Sequence, residues 1–315
     1  MTTLFHTKIE PKKELRKAKL LDEAETLIPW WMMAEKINSK LPIQTTWRPR
    51  IDTVILLKVM FLQYVFWLAD ESVEEDIYDR ATFRSFLWNK KIIKSWVPDA
   101  TTLCRFRSFL EENNLHEILF EQTRKVMEER WLILKVWTIV DATIITAPSS
   151  TKNKEKQRDP EMRSTKKGAN YSFGMKIHIW TDMTSWVVHT LGFTSANVHD
   201  SQMTEKLLHW EEKIIGWDKW YANWELKSKM RKEGKIYAIL DKSSRGKNLS
   251  NAQIKRNKKR QSIRAKVERP FRVFKKWRWN KKVRYRWIAK NSVWITCWFM
   301  FGNYFLAKRY LQRVS

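Results

Sequence analysis

The chain has 315 residues, with 61 Lys and Arg against 34 Asp and Glu, which gives a formal net charge of +27. This length suits one or two domains, and the 43% of hydrophobic residues exclude a globally disordered chain. The positive charge favours a polyanionic partner, most simply nucleic acid, because each Lys or Arg at a phosphate releases counterions. Two cysteines far apart in sequence, Cys104 and Cys297, provide neither a disulfide framework nor a metal-ligand spacing.

Targeting and membrane signals are weak. The first residues, MTTLFHTKIEPKKELRK, lack the apolar core of a signal peptide. The most apolar runs, residues 55–68 and 293–306, are too short or too interrupted to span a bilayer. We therefore expect a cytoplasmic protein with no membrane partner.

Residues 1–130 are predicted to form helices with short connections. Apolar residues recur at helical spacing over residues 52–69, and shorter helices are predicted at 71–78 and 115–130. Thr101 and Thr102 are candidate caps for a helix with the sequence LCRFRSFLEEN. Several Arg and Lys residues suit a DNA-binding module, and a purely structural or dimerising helical domain is an equally open alternative.

The sequence pattern changes from helical to strand-like after residue 130. The segment KVWTIVDAT predicts a buried strand that ends at Asp141, followed by a polar basic loop over residues 145–170. A hairpin is predicted from residues 172–180 and 187–195, then a helix, and then a short strand that ends at Asp218. A helix with Gly234 near its end, a strand at 236–241, a basic loop at 242–260 and two C-terminal helices follow. This order predicts a mixed sheet flanked by helices, an α/β architecture.

Three acidic residues stand out by position. Asp141 and Asp218 end predicted strands, where ligand-binding groups of α/β sheets collect, and Glu268 lies in a basic helix. Three converging carboxylates would repel each other without a cation between them, and their hard oxygens favour Mg²⁺ or Mn²⁺. Each acid taken alone is better explained as a cap or turn residue, as Asp182 and Asp241 illustrate.

The helix around Glu268 carries two cations at helical spacing. Arg264 lies four residues before Glu268 and Lys275 seven residues after it, so all three share one face. Arg264 could hold the carboxylate and Lys275 could reach a DNA phosphate. The alternative is an exposed helix with ordinary ion pairs. Zinc is disfavoured because His178, His189, His199 and His209 follow no ligand spacing.

Long segments resemble a known family. They are TIVDATIITAPSSTKNKEKQRDPEMRSTKKGANYSFGMKIHI, TSANVHD and SIRAKVERPFRV with KVRYRWIAKN, and in the first half RPRID, DESVEEDIYD and VPDATTLCRFRSFLEE. Together they resemble bacterial insertion-sequence transposases of the DDE class, in the IS-five group of the IS-four superfamily. The resemblance covers the chain from about residue 27 to about residue 309.

The resemblance implies a fold and a set of site residues. It implies an RNase-H-like catalytic domain over residues 131–315 and a helical N-terminal domain over 1–130 for DNA binding or dimerisation. It implies Asp141, Asp218 and Glu268 as the catalytic acids that hold Mg²⁺, with Mn²⁺ as an alternative. Arg264 and Lys275 match the family pattern around the glutamate, whereas Gln261 stands where the family has a tyrosine.

The implied function is a DNA transposase that cleaves the ends of its element and joins them to target DNA. The basic loop with Arg158 and Lys166 is expected near DNA, and synapsis of two ends implies a homodimer or larger assembly. One alternative is a catalytically impaired DNA-binding remnant or regulator of the element. Another is a related nuclease without strand transfer.

Glycine and tryptophan usage is abnormal, with 7 Gly and 19 Trp. Tryptophan stands where the family has glycine at positions 47, 67, 137, 180, 186, 217, 220 and 287. Turn positions such as 186 commonly need a positive φ, which glycine accepts and a bulky residue resists. We therefore hypothesise that the codon UGA is read as glycine in the source cell and is rendered as tryptophan in the printed sequence. Trp30 is the best candidate for a genuine tryptophan.

Overall fold

The fold is described from a computed structural model. It describes residues 15–43, 49–88, 96–133, 137–152, 154, 156–167, 169–203, 214–217, 224–241, 243, 248–264, 270–271, 274 and 282–314. The chain divides into two compact units. The first comprises Met1–Gln63 and Leu68–Cys104, and the second comprises Tyr64–Trp67 and Arg105–Ser315.

The first unit is built from helices. They are α1 (Arg16–Leu27), α2 (Trp30–Asn38), most of α3 (Thr53–Phe66), α4 (Asp70–Asp79), α5 (Ala81–Trp88) and the start of α6 (Ala100–Glu112). Their core contains Trp30, which lies edge-on to Phe61 and Phe86 at ring-centroid distances of 5.8 and 5.9 Å. Edge-to-face packing of this kind stabilises beyond the area it buries.

A buried cation ties three helices of this unit together. Lys58 on α3 is only 4% exposed, and its Nζ donates to Glu25 on α1 at 2.9 Å and to the Phe86 carbonyl on α5 at 3.0 Å. A buried ammonium group needs such partners, because an unpaired charge in an apolar interior is strongly destabilising.

The predicted helices at 52–69, 71–78 and 115–130 are confirmed as α3, α4 and α7 (Leu115–Glu129). The start of α6 differs from the prediction. The helix begins at Ala100, and the Asp99 carboxylate accepts the N–H of Thr102 at 2.6 Å, so Asp99 is the cap. The grouping of residues 1–130 into one domain stays a prediction.

The second unit contains a mixed sheet. Its strands are β1 (Trp137–Thr146), β2 (Arg163–Lys167), β3 (Asn170–Asp182), β4 (Val188–Ser195), β5 (Ile214–Trp217) and β6 (Ile236–Ile239). The order is β2-β3-β1-β5-β6, and β4 also pairs with β3. β1, β5 and β6 are parallel, whereas β3 is antiparallel to β1, β2 and β4. The predicted hairpin is therefore confirmed as β3 and β4.

Helices accompany this sheet. Besides α7, most of α6 and the end of α3, the described helices of the second unit are α8 (Trp224–Lys232), α9 (Asn251–Arg264) and α10 (Ile288–Val314), with a 3-10 turn at Asp200–Met203. The predicted basic loop at 242–260 is wrong from residue 251 onward, where α9 begins. Ser250 and Gln253 form a reciprocal capping box, in which the Ser250 N–H donates to the Gln253 side chain at 2.8 Å. The sequence contains this capping pattern, but the many charged residues after it favoured the prediction of a loop.

The C-terminal helix α10 supplies much of the core of the second unit, where it packs on α7 and β4. Trp298, Phe299 and Tyr304 on α10 are at most 1% exposed. The fully buried Asn303 bonds both polar groups of the Val188 backbone, accepting from its N–H at 2.9 Å and donating to its carbonyl at 2.7 Å. This pairing satisfies one residue of the outer strand β4 within the core.

Among the described residues, no single helix is long and apolar enough to cross a membrane. Helices α3 and α4 reach that length and composition only as a pair that is bent by 101°.

Candidate active site

Asp141 lies within β1 and not at its end, which corrects the prediction of a strand that stops there. β1 continues to Thr146 because β3 provides pairing partners as far as Gly174, which faces Thr146 in the register. The intervening sequence, ATIIT, is rich in β-branched residues that favour an extended backbone. Asp141 is half-buried and pairs with Ile179, and its Oδ1 accepts the N–H of Ala142 at 2.9 Å.

Asp141 nevertheless follows the end of a ladder. The parallel pairing of β1 with β5 stops at Ile139 and Gly216, two residues before Asp141 and two residues before position 218. Beyond that point the second half of β1 pairs with β3 alone among the described strands. The carboxylate therefore lies where the parallel part of the sheet opens, a position at which α/β sheets commonly bind ligands.

Three other predicted site residues cannot be compared with the structure, since Asp218, Glu268 and Lys275 lie outside the described residues. Arg264 is the last residue of α9, and its side chain is also outside the described set. The preceding elements are described: β5 ends at Trp217, and α9 packs against β5. Within the described residues, no three His, Cys, Asp or Glu side chains form a metal-binding group.

Two of the four predicted DNA-binding residues, Arg158 and Lys166, lie near the first part of β3. Arg158 is exposed in the loop after β1, and its guanidinium lies 5.5 Å from the centre of the Phe173 ring. Lys166 is exposed on strand β2, so the prediction of an uninterrupted basic loop over 145–170 is wrong there. β2 forms because residues 163–167 pair with residues 170–174 of β3, and Lys166 lies opposite Tyr171. A strand fixes the direction of Lys166 more firmly than a loop would.

A cavity of about 350 Å³ lies beside this basic surface. It is lined by residues after β1 and residues before α10, and these include the cations Arg158, Arg284 and Arg286. Backbone contacts hold its walls together, with the Val283 N–H donating to the Thr146 carbonyl at 2.9 Å. Arg284 lies 4.1 Å from the ring centre of Trp294, a cation–π contact. Such a cavity offers positive charge next to the C-terminal end of β1.

Two acids bind the backbone at the start of α10, and one of them, Asp159, also lines the cavity. The Asp159 carboxylate accepts the N–H of Trp287 at 2.7 Å, and the Glu161 carboxylate accepts the N–H of Ile288 at 2.6 Å. These bonds satisfy amide groups at the helix N-terminus, where negative charge is also favoured by the helix dipole. Sequence reasoning missed both roles because more than 120 residues separate each acid from the helix.

The two aspartates taken as structural in the sequence have different roles. The Asp182 carboxylate accepts the N–H groups of Thr184 and Ser185 at 2.8 and 2.9 Å, so the turn assignment is confirmed. Asp241 instead anchors α9, because its carboxylate pairs with Arg256 at 2.9 Å and Arg260 at 3.5 Å.

A buried polar cluster joins β3, β4 and the segment after β4. Lys176 donates to the Val198 carbonyl at 2.6 Å and to the Asp200 carboxylate at 2.9 Å. His178 bonds the Thr194 hydroxyl at 2.9 Å, and burial lowers the pKa of His178 to about 4, with Asp200 opposing and Lys176 adding to the shift. His178 is therefore neutral at pH 7 and satisfies a core hydrogen bond. In β4, His189 bonds the hydroxyl groups of Thr138 and Thr190.

Comparison with protein families gives two matches. Residues 134–304, more than half of the chain, match the family described as Transposase DDE domain. Residues 9–109 match the family described as Transposase domain (DUF772). No solved structure matches the chain. The first match contains β1 with Asp141, the whole sheet and the two arginines before α10.

Proposed function

Since the chain belongs to the DDE transposase family, we propose that it cleaves DNA at the ends of an insertion sequence and joins them to target DNA. Its membership makes it a DNA transposase. The proposal adds in-line phosphoryl transfer, in which an activated oxygen attacks a phosphorus atom of the DNA backbone. We further propose an RNase-H-like fold for residues 131–315, which the open mixed sheet with its flanking helices supports.

The register between β1 and β5 carries this proposal. Ile139 pairs with Gly216, and both acids, Asp141 and Asp218, follow this pair by two residues. Residues that share a register position on parallel strands point to the same face and lie about 5 Å apart. A continuation of this register would bring the two carboxylates side by side at the open end of the parallel ladder.

Helix α9 supports the choice of the third acid. This helix packs against β5 and ends at Arg264, four residues before Glu268. The chain therefore enters the segment with Glu268 from a helix that contacts β5. We propose that Glu268 completes the set with Asp141 and Asp218, and that Arg264 orients it.

These three carboxylates suit a hard divalent cation, because their oxygens are the donors that Mg²⁺ and Mn²⁺ prefer. We propose that Asp141, Asp218 and Glu268 would hold Mg²⁺, with Mn²⁺ as a substitute. When bound, the metal would supply charge stabilisation at the phosphate and at the leaving oxygen. The half-burial of Asp141 fits this role, since a partly desolvated carboxylate interacts more strongly with a cation than an exposed one.

DNA contacts are proposed for the basic residues around this site. Arg158 and Lys166 are exposed, and Arg264 and Lys275 are assigned by the spacing around Glu268. Cations that meet phosphates position the duplex without reading its sequence, and they make binding depend strongly on salt. Two transposon ends must be brought together, so we propose a homodimer or larger assembly. A cytoplasmic location with association to the nucleoid follows from the DNA partner.

The decisive experiment measures cleavage of a duplex that carries the inverted repeats flanking the gene, in the presence of Mg²⁺. The protein as printed and a version with glycine at the anomalous tryptophan positions are assayed in parallel. Asp141→Asn should reduce nicking by at least about a hundredfold, as for other lost charge-stabilising groups, while leaving repeat binding intact. Asp79→Asn, a change at an exposed residue of α4, is the matched control and should cleave normally.

The outcomes separate the candidate functions. Full-rate cleavage by Asp141→Asn would refute the assignment of that acid. If both the protein with the printed sequence and its glycine version bind the repeats without nicking them, the DNA-binding remnant or regulator would be favoured. Nicking without any joined product in a strand-transfer assay would favour a nuclease of the same family.

A further inference from the structure

Tryptophan accounts for most of the non-glycine residues with a left-handed backbone among the described residues. Among the described residues, six non-glycine residues have positive φ, and four of them are Trp67 (58°), Trp131 (58°), Trp186 (63°) and Trp287 (76°). In this left-handed region the Cβ approaches the following carbonyl, which costs roughly 1–2 kcal/mol per residue for L-amino acids. Asn is the usual tolerated exception, and a bulky residue is an outlier. Random placement of tryptophan does not explain this concentration.

Two of these tryptophans end helices in a geometry that glycine normally adopts. After α7, the Leu132 N–H donates to the Met127 carbonyl at 2.9 Å, and the Trp131 N–H donates to the Glu128 carbonyl at 2.9 Å. This bond pattern is the Schellman motif, whose left-handed residue is usually glycine. After α3, the Leu68 N–H reaches the Gln63 carbonyl at 3.2 Å, with Trp67 in the same position.

Helix α8 provides an internal comparison. Its end has the same two bonds, from the Lys235 N–H to the Met230 carbonyl at 2.9 Å and from the Gly234 N–H to the Arg231 carbonyl at 3.1 Å. The left-handed residue there is Gly234, with φ of 71°. The left-handed residue is therefore glycine at the end of α8, whereas the printed sequence has tryptophan in the same geometry at the ends of α3 and α7.

The other two positions are also turn positions. Trp186 precedes β4 in the β3–β4 hairpin, where its N–H donates to the Asp182 carbonyl at 2.9 Å and Val187 accepts from the Asp182 N–H at 3.0 Å. Trp287 precedes α10 and donates to Asp159. A positive φ at such positions is what glycine supplies without steric cost.

Trp30 in the first unit differs from these four residues. Its ring packs edge-on against Phe61 and Phe86, as a genuine core tryptophan would.

We infer that glycine, not tryptophan, occupies positions 67, 131, 186 and 287 in the protein that its own cell makes. A single cause accounts for all four: the codon UGA is read as glycine in that cell, and the printed sequence renders it as tryptophan. Position 131 was not indicated by the family resemblance and is identified by its backbone geometry alone. The same cause would account for the low count of 7 glycines against 19 tryptophans.

The coding DNA tests this inference directly. UGA is expected at codons 67, 131, 186 and 287, and UGG is expected at codon 30. UGG at any of the four would overturn the common cause. Peptide mass spectrometry of the protein from its native source is the second measurement, and the mass of a tryptophan residue in the peptide containing position 131 would overturn the inference as well.

A matched pair of variants tests the physical argument on the recombinant full chain. Trp131 and Trp31 are both exposed, at 81% and 69%, so neither loses much buried area when it is replaced. Trp131→Gly should raise the folded-to-unfolded ratio about fivefold in urea titrations, because the left-handed strain is removed. Trp31→Gly, inside helix α2, should lower that ratio about twofold, because glycine weakens a helix. A decrease for Trp131→Gly would refute the assignment of that position, whatever the transposition assays show.

Discussion

Two of the three glycines in the described sheet, Gly174 and Gly216, give a sharp test of the register. Gly174 on β3 lies opposite Thr146 of β1 and Arg163 of β2. A Cβ built on Gly174 would lie 2.0 Å from the Ile145 carbonyl oxygen and 3.0 Å from the Ala147 nitrogen. Gly216 on β5 is different, since the nearest atoms to its Cβ lie at 3.9 and 4.0 Å. The same substitution, Gly→Ala, should therefore destabilise the protein at Gly174 and be tolerated at Gly216.

The magnitude for Gly174→Ala follows from the clash. The Cβ must move away from a backbone oxygen by about 1 Å to reach the closest tolerated contact. The clashing atoms belong to the backbone, so no side-chain rotation can relieve the clash. Overpacking of this kind costs roughly 1–3 kcal/mol. The adjacent bond from the Ala147 N–H to the Phe173 carbonyl, now 2.7 Å, would lengthen and lose about 1 kcal/mol. We expect a total destabilisation of about 2–4 kcal/mol, a large part of the stability of an ordinary domain.

The assay is urea unfolding of the full chain, followed by circular dichroism, with Gly216→Ala as the control. The control should stay within about 0.5 kcal/mol of the parent or be slightly more stable, because alanine restricts the unfolded chain. Equal stability of the parent and Gly174→Ala would refute the close approach of β1 and β3 at this point. A loss in the control as large as in Gly174→Ala would refute the reasoning from Cβ distances.

Three further outcomes are expected. The pKa of His178 is about 4 in the folded protein and near 6.5 in the unfolded chain. The stabilisation from neutral His178 should therefore be complete above pH 6.5 and fall by up to about 3 kcal/mol as the pH drops from 6.5 to 4. Calorimetry of His178→Gln should show that this pH-dependent loss of stability disappears. Asn303→Leu would leave two buried polar groups of Val188 without partners and should cost about 2–6 kcal/mol in thermal or urea unfolding, whereas a loss under 1 kcal/mol would contradict the described pairing. Arg158→Ala combined with Lys166→Ala should weaken DNA binding and reduce the slope of log K against log salt by about 2, and an unchanged slope would remove both residues from the interface.

Much of the secondary structure could be predicted because it is encoded locally. Helix α3 follows from apolar residues at helical spacing, and the β3–β4 hairpin follows from two alternating runs joined by a polar turn at Asp182. Helix α9 (Asn251–Arg264) shows the limit of local reasoning, because its residues 251–260 were predicted to belong to a basic loop. Its many Lys and Arg residues favoured the prediction of a solvated loop, although the Ser250–Gln253 capping box marks the start of a helix.

The position of one candidate site residue can be compared with its prediction. Asp141 was proposed from its position after β-branched residues, and the structure puts it beside the end of the β1–β5 ladder, while its catalytic role stays a prediction. Its place within a longer strand could not be foreseen, because β1 continues only by virtue of its pairing with the distant residues 174–178 of β3. The roles of Asp159 and Glu161 at the start of α10 were hidden for the same reason.

The sequence by itself determined the basic charge, the order of helices and strands and the acidic residues, because composition and short-range periodicity carry that information. It also indicated that too many tryptophans stand at turn positions. Only the tertiary structure decided which of them adopt a left-handed backbone, since φ depends on how a helix end or hairpin closes against the rest of the chain.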